Sequence, residues 1–202
     1  MKRRSPLITL VLALGALVVI LSLNDALIPN QAGAPAVPTA EPTEPANQPG
    51  DGATEGAQFP DEAVYAGKDA TGELAVAVAI KGDRAVGYLC NGTSIEAWLT
   101  GSVSGSRVSL EAASGSTIDA RFNGERVTGV AARGDEQYAF DLEEADPPAG
   151  LYRRKDDDST IGWIVLPDGS QVGIENTGGT LKPAPRLDPE TDQAEAVTGE
   201  TR

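Results

Sequence analysis

Six short polar turns recur at a steady interval through the middle of the chain, and no other feature constrains the fold as much. They are Lys81-Gly-Asp83, Asn91-Gly92, Ser104-Gly-Ser106, Ser114-Gly-Ser116, Asn123-Gly124 and Arg133-Gly-Asp135, so their glycines lie 9–13 residues apart. Asn-Gly is a strong hairpin signal, because both central residues of a type I′ turn need positive φ. Between the turns, apolar and polar residues alternate. Val108, Leu110 and Ala112 alternate with Arg107, Ser109 and Glu111; Ile118, Ala120 and Phe122 alternate with Thr117, Asp119 and Arg121. Tyr138, Phe140 and Leu142 do the same with Gln137, Ala139 and Asp141, while Leu74, Val76, Val78 and Ile80 oppose Ala75, Ala77 and Ala79. Period two with polar partners means strands with one wet face.

Six turns give seven strands, and Val64-Tyr65-Ala66 supplies an eighth. Hairpin connections alone give an antiparallel up-and-down order, and closure into a small barrel or a two-layer sandwich removes the exposed edges. No stretch carries helical periodicity between the strands, which excludes α/β. The expected class is all-β, a meander of about eight strands. Beyond Pro147-Pro148, Gly150–Arg154 reads as one strand, and Gly162–Leu166 with Gln171–Ile174 as a C-terminal hairpin around Pro167-Asp168-Gly169. This appendage is expected to pack Trp163 and Tyr152 onto the meander.

The flanking segments differ in composition. Residues 1–28 contain Lys2-Arg3-Arg4 followed by Leu7–Leu23, 17 residues without a charge. As a helix the apolar run spans about 26 Å, close to a bilayer core, and the basic residues place the N-terminus in the cytoplasm. The expectation is a single-pass signal-anchor with everything after it outside; the alternative is secretion after signal cleavage at Ala32-Gly33-Ala34 or Ala34-Pro35-Ala36. Residues 29–60 hold seven prolines among Ala, Thr, Glu, Gln and Gly and read as a disordered linker. Residues 61–175 form the expected β-domain, and 176–202, without an aromatic, read as a disordered acidic tail.

Composition narrows the chemistry. Zero histidine excludes Ser-His-Asp and Cys-His nucleophile systems and histidine-ligated zinc. The single cysteine, Cys90, forbids an intrachain disulfide. A net charge of −14 argues against nucleic acid, whose phosphates need clustered Lys and Arg. Residues 1–30 hold a net +2, so the remaining 172 carry −16, a basic tip on an acidic body.

The segments Tyr88-Leu-Cys-Asn-Gly92, Glu96-Ala-Trp-Leu99 with Gly101, Gly150-Leu-Tyr-Arg153 and Gly162-Trp-Ile-Val-Leu-Pro-Asp-Gly-Ser170 resemble segments of membrane-anchored or exported actinobacterial β-domain proteins. The resemblance covers most of 61–175. It implies an N-terminal hydrophobic segment, a proline-rich linker and a β-rich domain, and it brings no catalytic residue.

Two residues stand out as candidate partner or ligand contacts. Trp98 has the opposite parity to Ile95, Ala97 and Leu99, so it lies on the wetter face, where an indole can stack on a sugar or anchor a partner, or lie under the appendage. Cys90 ends a strand and is either a thiol that links to a partner or a core filler. Asp156-Asp157-Asp158-Ser159, with Glu143, Glu144 or Asp146 nearby, lacks the spacing of a calcium loop and reads as a solvated acidic loop. Arg133-Gly-Asp135 and Asn91-Gly-Thr93 coincide with hairpin positions that already demand those residues. No catalytic, cofactor or metal residues are assigned. The reading is a membrane-tethered extracytoplasmic binding or accessory domain with an envelope protein or glycan as partner and no enzymatic activity. The alternatives are a small-ligand carrier, with lumen space left by small residues at 75, 77, 79, 85, 87, 97, 112, 120 and 129, and a carboxylate-based hydrolase of envelope polysaccharide.

Overall fold

The computed structural model describes residues 56–200, in strands and turns without a helix. The signal-anchor helix and the linker up to residue 55 lie outside the described residues. Among the described residues no helix is long and apolar enough to cross a membrane.

Eight antiparallel strands close into a barrel in simple sequential order. They are β1 (Glu62–Lys68), β2 (Ala75–Lys81), β3 (Arg84–Cys90), β4 (Glu96–Ser104), β5 (Arg107–Glu111), β6 (Thr117–Phe122), β7 (Val127–Arg133) and β8 (Glu136–Glu144). The expected meander is thus a barrel rather than a sandwich. Its seam pairs Tyr65 with Glu144 and Ala66 with Glu143, and an isolated bridge joins Asp69 to Phe140 in the same register.

The turns follow the expected positions but not always the expected type. Two-residue turns fall at Gly82-Asp83, Gly105-Ser106 and Gly134-Asp135, where glycine takes φ of 59°, 59° and 60°. At the two Asn-Gly sites the loops are longer, and the asparagine side chain organises them. Asn91 Oδ1 accepts from the amides of Thr93, Ser94 and Ile95 at 3.0, 2.8 and 2.9 Å, and Asn123 Oδ1 from those of Glu125 and Arg126 at 3.0 and 2.8 Å. An Asn carbonyl satisfies loop amides that a tight turn would pair through backbone.

The interior is filled. Tyr65, Leu74, Val76, Val78, Ile80, Leu89, Leu99, Leu110, Ile118, Val127 and Leu142 are all nearly inaccessible. Small residues do not open a lumen. A Cβ at Gly87 would meet Leu110 Cδ1 at 2.7 Å and Ile118 Cδ1 at 3.0 Å, and one at Gly129 would meet Ala120 Cβ at 2.5 Å. Ala75, Ala77 and Ala79 face outward instead, under a second sheet.

That sheet has the order β12-β11-β10-β9-β13. It comprises β9 (Gly150–Lys155), β10 (Ser159–Val165), β11 (Gln171–Thr177), β12 (Thr180–Pro183) and β13 (Glu195–Ala196). Leu151, Ile164, Leu166 and Ile174 pack on the outer face of β1–β3, against Ala66, Ala75, Ala77, Ala79, Val86, Tyr88 and Cys90. Flat alanine rows on the barrel admit the close approach. Trp163 and Tyr152 have the opposite parity, so they face away from the barrel, contrary to the expectation.

Residues 176–200 are not a disordered tail. Leu187 is buried over Tyr152, Ile161, Trp163 and Val165. Gln171 brackets Leu187 through both main-chain polar groups at 2.9 and 3.0 Å, and Trp163 Nε1 donates to the Pro185 carbonyl at 2.8 Å. Val197 is buried against the barrel, and its amide donates to the Leu151 carbonyl at 2.8 Å. The β-domain therefore runs beyond residue 175 to residue 200. Composition failed here because a few apolar anchors and main-chain pairing to sheet edges suffice to hold an otherwise polar segment.

Both ends of the described chain lie at one pole of the barrel. Phe59 stacks on Phe122 at 5.0 Å and its amide reaches the Gly105 carbonyl, while Gly199 presses on Lys81 and Arg84, and Glu200 pairs with Arg84 at 2.8 Å. This near pole holds the β2–β3, β4–β5 and β6–β7 turns. The far pole holds the Asn91–Ile95 loop and the β1–β2, β5–β6 and β7–β8 connections.

Candidate functional site

A groove of about 510 Å³ opens where the second sheet overhangs β4 toward the far pole. One wall is Glu96 and Trp98, at the start of β4. The other is the β9–β10 turn with Arg153, Lys155, Asp156, Asp157, Asp158 and Ser159, and Asn176 with Gly178 and Gly179 closes one end. Strand parity explains the first wall: Ala97 and Leu99 point into the barrel, so Glu96 and Trp98 share the outer face. Polar residues at the ends of β9, β10 and β11 extend past the apolar contact to supply the rest.

Glu96 is fixed from two sides. Tyr88 Oη donates to Oε1 at 3.0 Å, and Asn176 Nδ2 donates to Oε2 at 2.9 Å. The second bond ties the barrel to the second sheet. Burial, together with Cys90 and Glu96 alongside, pushes the Tyr88 phenol well above its ordinary value, so it stays a donor at neutral pH.

Trp98 is half-buried and mostly a packing residue. Its ring lies 4.2 Å from that of Tyr88, the Arg153 guanidinium sits 5.4 Å from its centroid, and its buried Nε1 has no hydrogen-bond partner. Gly162 of β10 makes room for both rings: a Cβ there would fall 2.6 Å from Tyr88 Cζ and 2.8 Å from Trp98 Cζ2. Tyr88 and Arg153 flank the indole, which lends its edge to the groove. Burial pushes the Arg153 guanidinium below its ordinary value, against the upward pull of Glu195.

Cys90 cannot serve as a contact. Its side chain is fully buried between barrel and sheet, and burial raises the thiol to about 12, so neither access nor thiolate character is present. The Asp156–Asp158 turn lies beside Glu96 rather than beside Glu143, Glu144 or Asp146, and Arg154 pairs with Asp156 at 3.2 Å. Among the described residues no group of three potential ligand side chains is placed to hold a metal. Arg133-Gly-Asp135 is an ordinary exposed two-residue turn.

The chain matches no family model, no curated protein and no solved structure. The site therefore rests on its own geometry. Sequence reasoning placed Trp98 on the outer face but missed Glu96, although the same parity selects it, and missed Asn176 by assigning it to the tail.

Proposed function

We propose that this protein is a membrane-tethered, extracytoplasmic binding or accessory domain that presents the Trp98 groove to an envelope protein or glycan. The observation that carries this reading is the placement of the groove relative to the chain ends. Phe59 and Glu200 both lie at the near pole, whereas the groove opens toward the far pole, away from both ends of the described chain. The uncharged run Leu7–Leu23 behind Lys2-Arg3-Arg4 supports the tether, and the chain's proline-rich residues 29–60 support a stalk. The filled interior favours recognition on the outer wall over a ligand carried in the lumen. A photoreactive amino acid at Asp158, on the groove rim, should yield a discrete adduct in intact cells. The same group at Gln137, on the wet wall of β8, should not. Identical adduct patterns at both positions, or none at Asp158, would remove the reading.

One observation favours a hydrolase as the second reading: Glu96 faces the Asp156–Asp158 turn across the groove. Glycoside hydrolysis needs such opposed carboxylates. Both Glu96 oxygens, however, already accept hydrogen bonds within the fold. Release of reducing sugar from envelope polysaccharide, lost in Glu96→Gln, would favour this reading over the first.

A further inference from the structure

On the barrel wall away from the second sheet, Arg107 of β5 and Arg121 of β6 are direct cross-strand partners, and both point to solvent. Directly opposed residues have Cα atoms about 4.5–5.5 Å apart, and like charges in that position destabilise a sheet. In a chain with 30 acidic and 16 basic residues, this pair has no carboxylate within 4.0 Å among the described residues. Elsewhere the same surface does pair its arginines: Arg126 bonds Asp141 at 2.6 Å and Glu143 at 2.7 Å. A shallow groove of about 230 Å³ runs beside Arg107 and Arg121, and is lined by Thr128, Gly129, Ala120 and Val130. Val130 is the one large apolar side chain left exposed among the described residues, at 37%. The carboxylate in this groove, Asp119, is engaged by the Ser109 hydroxyl at 2.9 Å.

We infer that Arg107 and Arg121 form an oxyanion site for a phosphate group, carried by a soluble phosphate ester or by a phospholipid headgroup. Two planar guanidinium forks carried side by side on neighbouring strands can match the oxygens of a tetrahedral anion, and the anion relieves the repulsion between them. Thr128, the cross-strand neighbour of Arg121, adds a hydroxyl donor at the groove. The pair lies toward the near pole, beside the β4–β5 turn that receives Phe59. It shares no residue with the Trp98 groove, and it stands or falls independently of that groove's function.

The test is thermal unfolding of the full chain, wild type against the Arg107→Gln/Arg121→Gln double variant. Each is measured at constant ionic strength with chloride or inorganic phosphate, and in nanodiscs of phosphatidylcholine or phosphatidylglycerol. Without phosphate the variant should melt above wild type by a few degrees, because it removes a like-charge pair. Phosphate should raise the wild-type midpoint and leave the variant unmoved, and each single variant should weaken phosphate binding about tenfold. A response to phosphate assigns a soluble ester, and a response confined to phosphatidylglycerol discs assigns the headgroup. Equal responses in wild type and variant, no response to either, or a variant that melts below wild type without ligand would overturn the inference.

Discussion

The Asn176 side-chain amide donates to Glu96 Oε2 at 2.9 Å, and through that bond β11 of the second sheet is pinned to β4 of the barrel at the end of the groove. Tyr88 holds the other carboxylate oxygen. Glu96→Gln keeps the shape but offers one acceptor to two donors, so one donor loses its partner. Hydrogen bonds to a charged group are worth about 1.5–3 kcal/mol, and chemical denaturation of Glu96→Gln should show a loss in that range. Asn176→Ala removes one of these bonds to the carboxylate and also the acceptor of the Gly179 amide, so it should cost at least as much, about 1.5–3 kcal/mol.

Gly162 decides whether the two sheets can meet. A methyl group there would lie 2.6 Å from Tyr88 Cζ and 2.7 Å from its hydroxyl oxygen. Both rings are held by close packing, so Gly162→Ala should destabilise by about 1–3 kcal/mol through overpacking, and more if the sheet shifts. Its fluorescence should change as well. Trp163 is buried with its Nε1 bonded to Pro185, so the change should come from Trp98 and vanish in Gly162→Ala/Trp98→Phe.

These two relations show what a sequence can and cannot expose. The barrel was legible because every hairpin announced itself by a turn residue, and alternation fixed which face of each strand points inward. Trp98 was legible on the outer face for the same reason, and Glu96, which shares its parity, was overlooked. Asn176, Leu187 and Val197 were not legible. Each is held by a partner distant in sequence, Glu96, Gln171 and Leu151 respectively, and local composition carries no trace of such pairing. The orientation of Trp163 was missed because strands buried on both faces lose the polar alternation that assigns a side.

Stability should fall in alkali. Folding raises Cys90 from 9.0 to about 12 and Tyr65 from 10.0 to about 12, and lifts Tyr88 well above its ordinary value, in each case chiefly by burial. Above pH 9 the unfolded chain therefore releases protons that the native chain keeps. The native state binds more protons there, so the unfolding free energy declines as pH rises. Urea midpoints should be level between about pH 6 and pH 9 and fall progressively toward pH 12. Cys90→Ala removes the first group to titrate and should delay the onset toward pH 10.

The Asp69 carboxylate organises the β1–β2 connection. It is 4% exposed and accepts from the Leu74 amide at 2.7 Å, the Thr71 amide at 3.0 Å and the Thr71 hydroxyl at 2.6 Å. Burial alone would raise its pKa, but these bonds outweigh it and hold the carboxyl below its ordinary value. A depressed acid contributes stability that is complete above its unfolded value of 3.8 and is lost as pH falls. Asp69→Ala should cost about 2–4 kcal/mol at pH 7, with the gap to wild type narrowing in acid, as read from paired denaturation curves.

The tethered, outward-facing domain is tested most directly by thiol labelling in intact cells. Cys90 is the sole cysteine and is fully buried, so the wild-type chain should resist a membrane-impermeant maleimide while it is folded. Asp157→Cys places a thiol on the exposed rim of the groove. Prompt labelling of Asp157→Cys in intact cells, in a chain that stays with the membrane fraction, is the expected result; labelling only after lysis would contradict the account.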